Sequence, residues 1–292
     1  MTLDDIKQKF RNLLAKLPIN RFRNPAPVVS VMRLDGVIGR PPGPGRQGLT
    51  LDSQERILAK LFDNSQLKAV ALIINSPGGS PVQSALIAKR IRDLADEKNM
   101  PVVAFCEDIV ASGGYWLACA ADEIFADENS IVGSIGVISA GFGFVDLIER
   151  FGIERRVYST GPRKGMLDPF QDEKSEDIDR LRELHEDIFE NFKNHVRRCR
   201  GDRLRAEDEA LFTGDIWTGR QAVEVGLIDG LADMRTEMRK RYGESVKFQR
   251  FGARRGLLSR LRGGVGVARV PIDPGDLIRA LDDWAHWKRF GL

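Results

Sequence analysis

The chain has 292 residues, about twice a common domain size, so its length fits one large α/β domain or two small ones. A hydrophobic share of 42% and a charged share of 30% describe a globular chain with a solvated surface and argue against disorder through its middle. The net charge is only +3, and the basic surplus lies at the ends: Lys7, Lys9, Arg11, Lys16, Arg21 and Arg23 near the start, then Lys247, Arg250, Arg254, Arg255, Arg260 and Arg262.

Basic termini suit anionic lipid, nucleic acid or an acidic partner, and equally a solvated tail. Cys106, Cys119 and Cys199 are odd in number and form no CxxC pair, which argues against a disulfide framework. His185, His195 and His286 do not lie at ligand spacings, so no metal is expected. The basic N-terminus has no apolar run behind it, and no stretch of about 18 apolar residues occurs, so neither a secretory signal nor a spanning helix is expected.

In chain order, Leu3, Ile6, Phe10, Leu13, Leu14 and Leu17 recur at helical spacing and predict an amphipathic helix over 3–17. Asn24-Pro25-Ala26-Pro27 breaks it, leaving residues 1–25 as an arm outside the core. Val28 to Leu34 reads as a strand by its β-branched content, and Ser53 to Asp63 as a helix with Ile57, Leu58, Leu61 and Phe62 as its stripe. Lys68 to Asn75 is a nearly continuous apolar run, which suits a strand buried on both faces. Val82 to Glu97 is the next helix, Pro101 to Phe105 another buried strand, and a loop then leads to a helix beginning near Ser112. Asp122 to Ala126 and Ile131 to Ile138 continue the alternation, which predicts an α/β fold with parallel sheet layers. A long charged helix over 173–199, short helices over 217–227 and 235–242, a flexible Gly- and Arg-rich stretch over 252–268 and a final helix around Trp284 and Trp287 complete the expectation.

Two segments bear chemistry. Asn75-Ser76-Pro77-Gly78-Gly79-Ser80 joins a buried strand to a helix, where free N–H groups make an anion site. It is not a P-loop, because no Gly-Lys-Ser/Thr follows. Ala111-Ser112-Gly113-Gly114 lies at a similar junction, and a serine there is usually only a helix cap. Two such turns facing one cavity offer a hydroxyl and several N–H groups to an oxyanion, the geometry of acyl transfer. The hydroxyl then needs a base, for which the histidines fit badly and a buried lysine serves; spacing alone cannot choose the lysine.

Residues 28–240 carry VVSVMRLDGVIG, AVALIINSPGGSPVQSALIAKRI, PVVAFCEDIVASGGYWLACAADEIFAD, SIVGSIGVIS, GPRKGMLDPF and FTGDIWTGRQAVEVGLIDGLAD in that order. Together these motifs resemble the signal peptide peptidase A family, peptidase family S49. The resemblance implies an α/β crotonase/ClpP-like fold of repeated β-β-α units, with terminal helical arms added here. Residues 26–243 would be the catalytic domain, and 244–292 a basic flexible segment with a C-terminal helix. It implies Ser112 as nucleophile, Lys164 as general base, the N–H groups of Gly79 and Gly113 as oxyanion hole, and Ser134 as a contact of the lysine. It further implies no cofactor, unfolded apolar peptides as substrates and a homo-oligomeric ring.

Many family members carry an N-terminal transmembrane anchor that this sequence does not show. The expectation is therefore a cytoplasmic location, with peripheral contact to the inner membrane through the terminal helices or packing of those helices between subunits. No nucleic-acid partner is expected. Three alternatives stay open: a crotonase-type acyl-CoA enzyme, a caseinolytic-type Ser-His-Asp protease, and a ring that has lost activity. The second lacks a histidine between Ser112 and His185.

Overall fold

A computed structural model describes residues 25–39, 48–161, 163–252, 287, 288 and 290. The expected helix over 3–17, the stretch 253–268 and most of the expected C-terminal helix lie outside the described residues.

Among the described residues the strands form one eight-stranded sheet. They are β1 (Val28–Asp35), β2 (Leu67–Ser76), β3 (Val102–Ala111), β4 (Glu123–Ala126), β5 (Ile131–Gly133), β6 (Ile216–Thr218), β7 (Gly230–Leu231) and β8 (Lys247–Phe251). The main path runs β6-β5-β3-β2-β1-β8, with β4 bridging β3 and β7. Every pairing is parallel except β5 with β6. Parallel strands need crossovers, and helices supply them: α1 (Leu51–Leu61) before β2, α2 (Pro81–Lys98) before β3 and α3 (Gly113–Ala118) before β4. The long helix α5 (Ser175–Arg200) follows a short α4 (Val145–Arg150); α6 (Asp208–Leu211), α7 (Gly219–Glu224) and α8 (Met234–Tyr242) come later.

The period-two geometry of β1 divides the core. Val29 and Val31 point to a face shared with Ala69, Ala71, Val103 and the α8 residues Met234 and Met238. Met32 and Leu34 point to the opposite face, where Leu72, Ile74, Ile87, Ile91, Tyr115 and Leu117 form the larger cluster. Strands β2 and β3 are thus covered on both faces, which is why their sequences read as apolar runs.

Three differences from the sequence reading have local causes. Strand β3 runs on to Ala111 instead of ending at Phe105. Between the pairs Ile74–Cys106 and Ser76–Val110, β2 advances two residues while β3 advances four. The extra residues put Glu107 and Asp108 towards solvent, and Asn75 fastens the irregularity by accepting from the Ile109 N–H at 3.2 Å and donating to Asp108 at 3.2 Å. Strand β5 stops at Gly133 instead of Ile138, because Gly133 (φ 113°) and Ser134 (φ 50°) leave the extended region. At the other end, Lys247–Phe251 pairs in parallel with β1, so the sheet extends past residue 243, where the basic segment was expected to begin.

Candidate active site

The first glycine turn follows β2. Gly78 (φ 109°) and Gly79 (φ 139°) adopt backbone angles that side chains resist. A Cβ on Gly79 would collide with the Ile38 carbonyl oxygen, and one on Gly78 would sit 2.8 Å from the Ser112 Cβ. Ile38 clamps this turn: its N–H donates to the Gly78 carbonyl at 2.8 Å, and its carbonyl accepts from the Ser80 N–H at 2.8 Å. Helix α2 starts immediately after, with Pro81 in its first turn and the Ser80 hydroxyl accepting from the Gln83 N–H.

The second turn ends β3. The strand ends at the fully buried Ala111, and the Ser112 N–H donates to the Gly133 carbonyl at 2.7 Å. Ser112 stands at the cap position of α3 yet makes no capping hydrogen bond with its side chain. Its φ of 51° and ψ of −121° form a strained conformation for a residue with a Cβ. Strain of this kind costs about 1–3 kcal/mol and persists where the surroundings impose it. Ser112 thus stands strained and half-buried at a strand-to-helix turn, with its side chain outside the cap. Helix α3 is held rigidly behind it, because Tyr115 is fully buried and donates to the Leu227 carbonyl at 2.6 Å.

A cavity of about 270 Å³ opens at this point, lined by Ser112, Gly79 and Ser134, with Pro77, Pro81, Val137 and Ile138 as apolar wall and Thr213 and Gly214 opposite. A Cβ on Gly113 would lie 3.5 Å from the Gly79 nitrogen, so the two glycine turns lie against each other. Neither donates a hydrogen bond among the described residues. Ser134 is nearly buried, and its own N–H donates to the Asp215 carbonyl at 2.7 Å. The fold therefore gathers four of the five expected residues. The contribution of Thr213 and Gly214 was not visible as periodicity in the sequence; it arises because the antiparallel β5–β6 pairing brings residues 213–215 beside Ser134.

Lys164 does not line this cavity. It sits exposed in a turn over 163–167, its N–H donating to the Gly161 carbonyl at 3.2 Å. That turn belongs to an arm over 139–174 that is tied mainly to itself. The Phe144 N–H donates to the Pro169 carbonyl at 2.7 Å, Arg155 pairs with Asp168 at 2.9 Å, and Arg155 lies over the Phe170 ring. The arm leaves Phe142, Leu147, Phe151, Ile153, Val157 and Tyr158 exposed. No charged side chain and no histidine lines the Ser112 cavity among the described residues. His185 contacts Ser139 at 2.7 Å on the surface, and His195 stacks on Trp116.

Residues 95–246, just over half the chain, match the family described as peptidase family S49. A Brucella abortus protein named Na(+)/H(+) antiporter NhaA is 46% identical over 288 residues, covering 96% of this chain and 39% of that protein. The chloroplastic serine protease SPPA of Arabidopsis thaliana is 30% identical over 213 residues, covering 70% of this chain and 31% of that protein. Protease 4 of Haemophilus influenzae is 31% identical over 196 residues, covering 65% of this chain and 30% of that protein. The chain thus spans less than half the length of these relatives. Among solved structures, a point mutant of the 1510-N membrane-bound stomatin-specific protease superposes with a TM-score of 0.50 at 15% identity, covering 78% of this chain and 99% of that one. That likeness supports the α/β fold. The chain belongs to peptidase family S49. No helix among the described residues is long and apolar enough to cross a membrane.

Proposed function

We propose that this chain is a serine endopeptidase in which Ser112 attacks the peptide carbonyl and Lys164 acts as general base. The observation that carries the reading is the strained, uncapped Ser112 beside two unpaired glycine N–H groups. Those donors face the oxygen of a bound carbonyl and strengthen their hold as it becomes an oxyanion, a gain of roughly 2.7–4 kcal/mol per donor in comparable enzymes. The lysine amine accepts the serine proton, returns it to the leaving amine, and water then releases the acyl-enzyme. Ser134 steadies the lysine amine.

Unfolded apolar peptides, signal peptide remnants among them, are the substrates that fit. Pro77, Pro81, Val137 and Ile138 wall the cavity, and the exposed Val82 and Leu86 extend an apolar path along α2. Lys164 comes to Ser112 from a neighbouring subunit of a homo-oligomeric ring. Its exposure in the single chain and the apolar side chains along its arm support that route.

Wild type, Ser112→Ala and Lys164→Ala are to be compared on casein and on an apolar fluorogenic peptide. Turnover belongs to the wild type alone, with each variant lower by roughly four to six orders of magnitude. Equal turnover by all three overturns the mechanism. Coenzyme A-dependent activity that survives in Ser112→Ala would favour the crotonase reading instead.

A further inference from the structure

A second cavity is larger than the one at Ser112. This groove of about 750 Å³ lies at the other end of α3, between that helix, α2 and α5. Its floor holds Cys119, the residue that ends α3, and Cys199, in the last turn of α5. Cys119 is buried and Cys199 half-buried, and both line the same groove.

His195 stands one turn before Cys199, with Nδ1 3.8 Å from the Cys199 Sγ. The other nitrogen, Nε2, lies 3.1 Å from the Trp116 carbonyl oxygen. A carbonyl only accepts, so Nε2 carries a proton and donates it there, which leaves Nδ1 as the basic nitrogen of a ring whose two nitrogens lie 3.8 Å (Nδ1) and 4.0 Å (Nε2) from the Cys199 Sγ. Trp116 also stacks on the imidazole at 4.6 Å, and its far neighbour Phe192 stacks on Trp116 at 4.9 Å, so the ring is fixed in plane as well as in tautomer. Nucleophile, base and an orienting third group are therefore assembled at Cys199. The peptidase mechanism uses none of them.

We infer that Cys199 is a reactive thiol, activated by His195, that hydroperoxides oxidise and that Cys119 resolves into a disulfide. The Cys199 proton passes to His195 Nδ1. The sulfur lone pair then attacks one peroxide oxygen, the O–O bond breaks, and the departing hydroxide takes the proton back as water. The sulfur is oxidised by two electrons to a sulfenic acid and the peroxide is reduced. The Cys119 sulfur attacks the sulfenic sulfur, the S–O bond breaks, and the Cys119 proton leaves with the hydroxyl as a second water.

The protonation states agree with these roles. The hydrogen bond from Cys119, followed by the His195 ring and Arg198, holds the Cys199 thiol below the ordinary thiol range against the opposing effect of burial. Burial pushes the Cys119 thiol well above the ordinary thiol range. The other charged groups facing the groove are Lys89, Arg92, Asp93 and Asp96 of α2, Asp122 after α3, and Arg203 after α5.

The test treats the full-length wild type, Cys119→Ser, Cys199→Ser and His195→Gln with hydrogen peroxide, blocks free thiols with N-ethylmaleimide and maps the products by mass spectrometry. Wild type is expected to lose about 2 Da and to protect Cys119 and Cys199 from the maleimide until dithiothreitol is added. Cys119→Ser is expected to accumulate a sulfenic acid at Cys199 that dimedone traps. Without peroxide, at about pH 6, His195→Gln is expected to alkylate at Cys199 roughly tenfold more slowly than wild type and to approach it at about pH 9. An unchanged mass in the wild type, or the same loss in Cys199→Ser, overturns the site. Equal alkylation of wild type and His195→Gln at both pH values overturns the role of the histidine.

Discussion

At the residue scale the site depends on glycine more than on serine. Any serine can offer a hydroxyl, but only a residue without a Cβ lets the turn after β2 lie against Ile38 with its N–H facing the cavity. Gly79→Ala must push the turn away from the Ile38 carbonyl and rotate that donor. We expect kcat to fall about 10²–10³-fold. Stability should fall by roughly 1–3 kcal/mol, from the φ of 139° alone. Gly141, where an added Cβ meets nothing within 4 Å, is the control. Gly141→Ala should leave the stability within about 0.5 kcal/mol of wild type. Unchanged turnover in Gly79→Ala would remove that N–H from the oxyanion hole.

At the element scale, α5 is locked to the sheet by a buried charge pair. Arg200, 2% exposed, makes two bonds to Asp229, at 2.8 and 3.0 Å, and a third to the Gly226 carbonyl at 3.0 Å. Asp229 also accepts from the Ile124 N–H of β4 at 2.7 Å, so one carboxylate joins helix and strand. Burial alone would raise the Asp229 carboxyl; the bonds from Arg200 and Ile124 outweigh it and hold the group below the usual carboxylate range. A depressed acid stabilises the fold above its unfolded pKa of about 3.9, and that stability is lost as pH falls through the lower, folded value. The urea midpoint of wild type should therefore drop steeply below about pH 4. In Asp229→Asn it starts lower at neutral pH and falls less steeply, since no proton uptake at residue 229 remains. Parallel acid limbs in the two proteins would dismiss this account.

At the scale of the whole molecule, the arm over 139–174 is the surface that asks for a partner. None of the residues of α4 is buried, and the arm shows more large apolar side chains than a solvated loop has use for. If that face packs on a neighbour and carries Lys164 to a second Ser112, two inactive proteins can complement each other. We expect Ser112→Ala and Lys164→Ala, dissociated together and reassembled, to regain measurable turnover, while each alone stays at background. Light scattering should show the ring, and Phe151→Asp with Tyr158→Asp should shift it towards monomer. Mixed rings without turnover would assign the base to the same chain as the serine.

The sequence by itself determined the strands that are buried on both faces, the helices between them and the two glycine turns that matter. Continuous apolar runs and positive-φ glycines are local signals with direct physical causes. Taken alone, Ser112 reads more readily as a cap, because a cap and a nucleophile share the same neighbours in sequence; the pairing of two glycine turns and the family motifs pointed to a nucleophile. The tertiary structure adds φ 51° at Ser112, a side chain left out of the cap and Gly79 on the same cavity, which support the proposed nucleophile. The edge strand β8 and the Cys119–His195–Cys199 cluster escaped the sequence for the same reason. Each brings together residues far apart in the chain, and no periodicity records the pairing of residues 29 and 248 or the shared groove of residues 119 and 199.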